Sequence, residues 1–201
     1  MSINVCNDRS MASITSLPSG VSGSSLVLIS EQTASSSATI DFTSGIDSTY
    51  KEYIFKFINI HGSTQNGNFN FNMSIDNGSN YNVTKMTTFF RTYHDEGDSN
   101  TTLGYKASSD LTQSTSDQTI SYDIDTNNDD NTSGYLQLFD PSNTTFVKHF
   151  ITVGNMTGTS SYMIQNFSSG YGNTTSAVNG IRFKFHSGNI DAGTIKMYGV
   201  V

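Results

Sequence analysis

The chain has 201 residues, a formal net charge of −7 and only ten Lys and Arg, which excludes the clustered basic footprint that duplex nucleic acid requires. Ser, Thr, Asn and Gly supply 93 residues and Asp, Glu, Lys and Arg only 27, so neutral hydroxyls and amides stand where charge usually stands. The lone cysteine, Cys6, cannot form an internal disulfide, and the longest early aliphatic run, residues 26–29, is far shorter than a membrane-spanning helix.

Residues 1–25 are small and polar and read as an extended N-terminal arm, without the basic-then-apolar opening of a signal peptide. Residues 26–201 read as a single domain. Its first strands are predicted at 26–32 and 38–42. A long strand follows at 50–61, with Tyr53, Phe55 and Phe57 on one face and Ile54, Ile58 and Ile60 on the other. A strand apolar on both faces is covered on both, so this one lies under a loop or meets another subunit. In the next strand Phe69, Phe71, Met73 and Ile75 are expected to face in, and Asn68, Asn70, Asn72 and Ser74 to face water. Asp76-Asn77-Gly78 tolerates the positive φ of a tight turn, and a return strand at 81–91 would complete a hairpin.

Beyond it, 94–118 reads as a long polar loop with one strand near 103–107, and 119–124 as a strand. An acidic loop at 125–133 leads to a hairpin of 134–140 with 144–153, then to a strand at 161–167. A closing hairpin is predicted from 180–186 and 193–200, with Ile181, Phe183 and Phe185 inward. About ten strands at this spacing define an all-β fold, for which a jelly-roll-like antiparallel β-sandwich is the best single choice.

No arrangement of residues signals catalysis. His61, His94, His149 and His186 stand singly, without metal-ligand spacing, and the many serines lie in no nucleophile elbow. The nearest approach to a metal loop is Asp123-Ile-Asp125-Thr-Asn127-Asn-Asp129-Asp130. Its alternating oxygens suit calcium, but Asn128 and Gly134 occupy positions where an EF-hand needs Gly and Glu. A solvated acidic turn is the preferred reading, with no cofactor and calcium as the alternative. Arg182, Lys184 and Lys196 form the one basic surface row. Together with Ile54, Ile58 and Ile60 they are the candidate subunit-interface residues.

Three phrases carry a family resemblance: Ser25-Leu-Val-Leu-Ile-Ser-Glu-Gln-Thr followed by Ile40-Asp-Phe-Thr-Ser-Gly-Ile-Asp-Ser-Thr-Tyr-Lys-Glu-Tyr53, the turn Ser74-Ile-Asp-Asn-Gly-Ser79, and the ending Ser187-Gly-Asn-Ile-Asp-Ala-Gly-Thr-Ile-Lys-Met-Tyr-Gly199. Together they resemble short virion-associated proteins of tailed bacteriophages, many of them marine. The resemblance implies a jelly-roll-like sandwich displayed on a virus particle and carries over no catalytic residue. The expected role is therefore non-enzymatic: a capsid decoration, or cement, protein on the outer shell of the virion. It would bind the major capsid protein or other virion proteins as a homo-oligomer, with a trimer favoured, and with no nucleic-acid or membrane partner. The alternative is a tail-fibre or tail-tip protein that recognises a host surface glycan, with loops 94–118 and 125–133 giving specificity and Tyr93 and Tyr105 as stacking residues.

Overall fold

A computed structural model of the protein describes residues 25–158 and 161–201; all of the predicted arm except Ser25 lies outside them. Twelve strands and no helix occur among the described residues: β1 (Leu26–Thr33), β2 (Ile40–Phe42), β3 (Glu52–Gly62), β4 (Gly67–Ser74), β5 (Lys85–Asp95), β6 (Thr101–Tyr105), β7 (Gln118–Ile124), β8 (Thr132–Phe139), β9 (Lys148–Gly158), β10 (Tyr162–Gly172), β11 (Gly180–Phe185) and β12 (Ile190–Val200). Every pairing is antiparallel. The main path runs β1-β12-β3-β8-β9-β7-β4-β11-β2, and a branch runs from β9 through β10 and β5 to β6. The path curls until its ends approach, where Gln32 Nε2 on β1 donates to the Asp41 carbonyl on β2 at 2.7 Å. The fold is thus an all-β, nearly closed barrel-like sheet. The link between β7 and β9 is a single pair, Ile124 with Gly158, whereas β9 pairs with β10 along its whole length.

Alternation builds the core. Tyr53, Phe55 and Phe57 of β3 point inward, and Phe55 and Phe57 meet rings from β11 and β4. Phe183 lies 5.5 Å from Phe55 and 5.2 Å from Phe57, and Phe69 lies 5.3 Å from Phe57. Edge-to-face contact lets such rings fill volume while their quadrupoles attract. The interior around β5, β7, β9 and β10 is different. Gln118, Ser121, Thr132, Thr152, Asn166 and Ser168 are buried there. Gly154 brings the backbones close, because a Cβ at that position would meet Ser121 Oγ at 2.2 Å and the Ile120 carbonyl at 2.9 Å.

Several sequence expectations are corrected. The described residues form twelve strands where about ten were expected. The 180–186 and 193–200 segments do not form a hairpin: β11 pairs with β2 and β4, and β12 with β1 and β3. The turn at 187–189 therefore carries the chain from one run of strands to another. Likewise β4 and β5 do not pair; β5 is bound to β10 and β6. The second face of β4 is not wet. Asn70, Asn72 and Ser74 are buried, and Asn72 is capped by Thr115 and Asp117 of the segment before β7. Ile75, expected inside, lies past the end of β4 and is exposed.

Ile60 is the sharpest correction. Two-residue periodicity places it with Ile54 and Ile58, yet it is fully buried. Asn59 takes φ 51°, and the pairing of β3 with β8 shifts between Phe57 and Ile60. This bulge leaves Ile58 and Asn59 both outside and turns Ile60 into the core.

Candidate interaction surface

The predicted interface residues do not form one patch. Ile54 is half-buried and Ile58 exposed on the outer face of β3, while Ile60 belongs to the core. Arg182 and Lys184 project from β11 on the side away from Phe183. Lys196 projects from β12 between the inward Ile195 and Met197, on the opposite outer face. Each cation also has a carboxylate of its own. Arg182 donates to Asp41 from Nε at 2.8 Å and Nη2 at 2.7 Å, and stacks 4.0 Å from the Tyr81 ring. Hydrogen bonding to Asp41 raises its pKa further. Lys184 lies 3.9 Å from Asp117 and Lys196 3.2 Å from Glu31. These side chains are spent within the chain, and no basic row remains.

An apolar row that the sequence did not mark occupies the outer face of the branched sheet. Tyr135 on β8 is opposite Val153 on β9, and Val153 is opposite Phe167 on β10. Phe167 is opposite Phe90 on β5, and Phe90 is opposite Tyr105 on β6. The rings of Phe90 and Phe167 stack at 4.8 Å with planes 11° apart. Five strands at the ordinary spacing make this row about 19 Å long. Phe90 is 41% exposed, Tyr105 60% and the nearby Leu103 72%. Beside the row an open groove of about 390 Å³ is lined by Met86, His149, Ile151 and Tyr171 among others. Each strand contributes one or two members, from positions far apart in sequence. The only local signal is an apolar residue on the otherwise polar outer face, such as the second Phe of Phe89-Phe90.

The loops are organised by their own side chains. Asp95 accepts from Ser99 and Asn100, and these bonds hold its carboxyl well below the usual range. Asp76 is held low in the same way by Asn80 and Ser74. In the acidic loop, Asp130 accepts from Asn127 at 2.9 Å and Asp125 from the Thr126 N–H at 2.7 Å. No group of three or more His, Cys, Asp or Glu able to hold a metal occurs among the described residues. The four histidines are apart. His61 faces Asp191 at 3.5 Å, His94 faces Asp98 at 3.0 Å, His186 accepts from the Asn68 N–H at 2.9 Å, and His149 touches the Tyr171 ring. Of the two stacking candidates, Tyr105 is exposed and its hydroxyl bonds Asp110. Tyr93 instead turns edge-on to Tyr162 at 5.2 Å and is partly buried.

Comparison of the chain with protein-family models, with curated proteins and with solved structures finds no match.

Proposed function

We propose that this chain is a non-enzymatic structural protein of a bacteriophage virion, and that it decorates the outer shell as a homo-oligomer, a trimer by preference. The observation that carries the reading is the exposed aromatic row from Tyr135 to Tyr105. A solvent-facing apolar stripe across five strands favours burial against another protein. Ile54 and Ile58 extend apolar surface towards β3 on the same face.

The strand order supports a jelly roll beneath this surface. In that reading β1-β12-β3-β8 and β2-β11-β4-β7 are the two four-stranded sheets, with β9, β10, β5 and β6 as an extension of the first. Such double-sheet folds recur in viral capsid and lectin domains. A coat rich in hydroxyls and amides also keeps a particle protein soluble with little dependence on salt.

Quantitative mass spectrometry of purified virus particles tests the role. Copies in the hundreds per particle are expected, and a handful of copies or none would overturn it. The glycan-binding alternative is favoured by one observation, the exposed ring of Tyr105. Binding of the isolated protein to host cells but not to empty shells would select it.

A further inference from the structure

Lys85 opens β5 and is fully buried, and Asn72 on β4 is 2% exposed. Lys85 Nζ donates to Asn72 Oδ1 at 2.6 Å and to the Val83 carbonyl at 2.8 Å. The Asn72 amide is oriented by all its partners. Its Oδ1 also accepts from the Met73 N–H at 2.9 Å. Its Nδ2 donates to the Thr115 carbonyl at 3.0 Å and to Asp117 Oδ1 at 2.8 Å. Ammonium and backbone N–H groups only donate, and carbonyl and carboxylate oxygens only accept, so the reversed amide would oppose every one of these contacts. A carbonyl carbon lies about 1.2 Å behind its oxygen, which puts Asn72 Cγ no more than about 3.8 Å from Nζ, close to the separation of reactants poised for attack.

The geometry points to a self-modification site: Lys85 Nζ attacks Asn72 Cγ, and the two side chains join in an amide cross-link with release of ammonia. The Nζ–Cγ bond forms and the Cγ–Nδ2 bond breaks. Once that bond has formed, Nζ and Nδ2 share one carbon, and the attacking nitrogen passes a proton to Nδ2, which the Asp117 carboxylate holds in place, so that the leaving group departs as neutral ammonia. One amine and one primary amide become one secondary amide and one ammonia, with no change of oxidation state. The Met73 N–H faces the oxygen on which negative charge develops. Burial at both reacting groups keeps out the water that would compete as nucleophile.

Two further observations favour this outcome. Among the described residues no carboxylate lies within ion-pair distance of Lys85, and the acceptors of Nζ, Asn72 Oδ1 and the Val83 carbonyl, are neutral oxygens. A buried ammonium so placed is costly, and conversion to an amide removes the charge. Burial also lowers the Lys85 pKa to about 8, against the opposing pull of the Asp117 charge, so part of the amine is free to act as a nucleophile. Lys148 is an internal control. It is also closed to solvent, though less deeply set, and lies in the same cross-strand row, across Gly172. Its Nζ meets only the backbone carbonyls of Phe146 and Thr174 and has no side-chain amide to attack.

The inference is independent of a virion role. Its test is the mass of the purified full chain, aged in the folded state and then denatured. The expected mass is one ammonia below that of the sequence. Trypsin is expected to fail after Lys85 and to leave a single looped peptide of residues 57–91. Lys85→Met and Asn72→Ala should restore the full mass. Asp117→Ala keeps both reacting groups and should retain the unlinked mass for longer. A wild-type chain of full mass, cut by trypsin after Lys85, would overturn the proposal. So would an ammonia deficit accompanied by normal cutting there, since that pattern marks a succinimide at one of the Asn-Gly steps, 66–67, 77–78 or 179–180. If the substituted chains fail to fold, the wild-type peptide map still decides.

Discussion

The two halves of the interior are held together by different means. Around β2, β3, β4 and β11, six phenylalanines meet: Phe42, Phe55, Phe57, Phe69, Phe183 and Phe185. Around β5, β7, β9 and β10, Gly154 and Gly170 let backbones approach, and short polar side chains fill what remains. The first half is stabilised by apolar area and tolerates modest changes of shape. The second depends on individual hydrogen bonds and on the absence of side chains at particular positions. There Thr87 Oγ1 donates to Gln118 Oε1 at 2.6 Å and Gln118 Nε2 donates to the Ser109 carbonyl at 2.9 Å. A protein can thus afford a polar core provided that its small residues close the gaps.

The largest effect is expected at the centre of the aromatic half. Phe183 touches Phe42, Phe55, Phe57 and Phe69, and Phe183→Ala should cost about 3–5 kcal/mol in denaturant unfolding. A loss under about 1 kcal/mol would mean that the ring cluster does not dominate. Gly154→Val in the polar half should cost about 1–3 kcal/mol, because the new side chain overlaps Ser121 and the Ile120 carbonyl. If Gly154→Val melts with the wild type, the close approach of β7 to β9 is wrong.

Asn166→Leu reverses the usual sign. Both ends of the Asn166 amide are buried without a hydrogen-bond partner, so a leucine of similar volume should stabilise by about 1 kcal/mol. Destabilisation of that size would instead identify an ordered water on the amide. The smallest effect is expected from acid. Asp47, Asp76, Asp95 and Asp140 are held below the usual carboxylate range chiefly by side-chain hydrogen bonds. Their contribution is complete above the ordinary carboxylate pKa of about 4 and is lost as pH falls through the lowered values. Melting temperature should therefore decline on acidification below about pH 4, and a flat profile would show that these exposed loops do not contribute to stability.

The aromatic half was legible because alternation is local. Phe55 with Phe57, Phe69 with Phe71, and Phe183 with Phe185 each repeat at every second residue, and all six are buried as expected. The polar half was not, since Thr152, Asn166 and Ser168 carry no apolar period to mark an inward face. Only pairing between distant strands buries them. The same cause hid the outer aromatic row, whose members come from five strands. Ile60 was misplaced for a more local reason: the left-handed turn of the backbone at Asn59 breaks the period, and asparagine is common enough here that one such residue carries no warning. Pairing partners were harder still. Short turns after β4 and β11 suggested hairpins, but both edges of each strand are taken by neighbours elsewhere in the sequence.

At the end of the branch, β6 has β5 as its only strand neighbour among the described residues. It is five residues long, and four of them are exposed. A bare rim of backbone donors and acceptors invites templated growth in crowded solution. Here the rim is brief, and Gly97 and Asp98 on one side and Lys106 on the other interrupt it. An invading strand would gain few bonds before meeting charge, so accumulation at high copy number need not lead to fibrils.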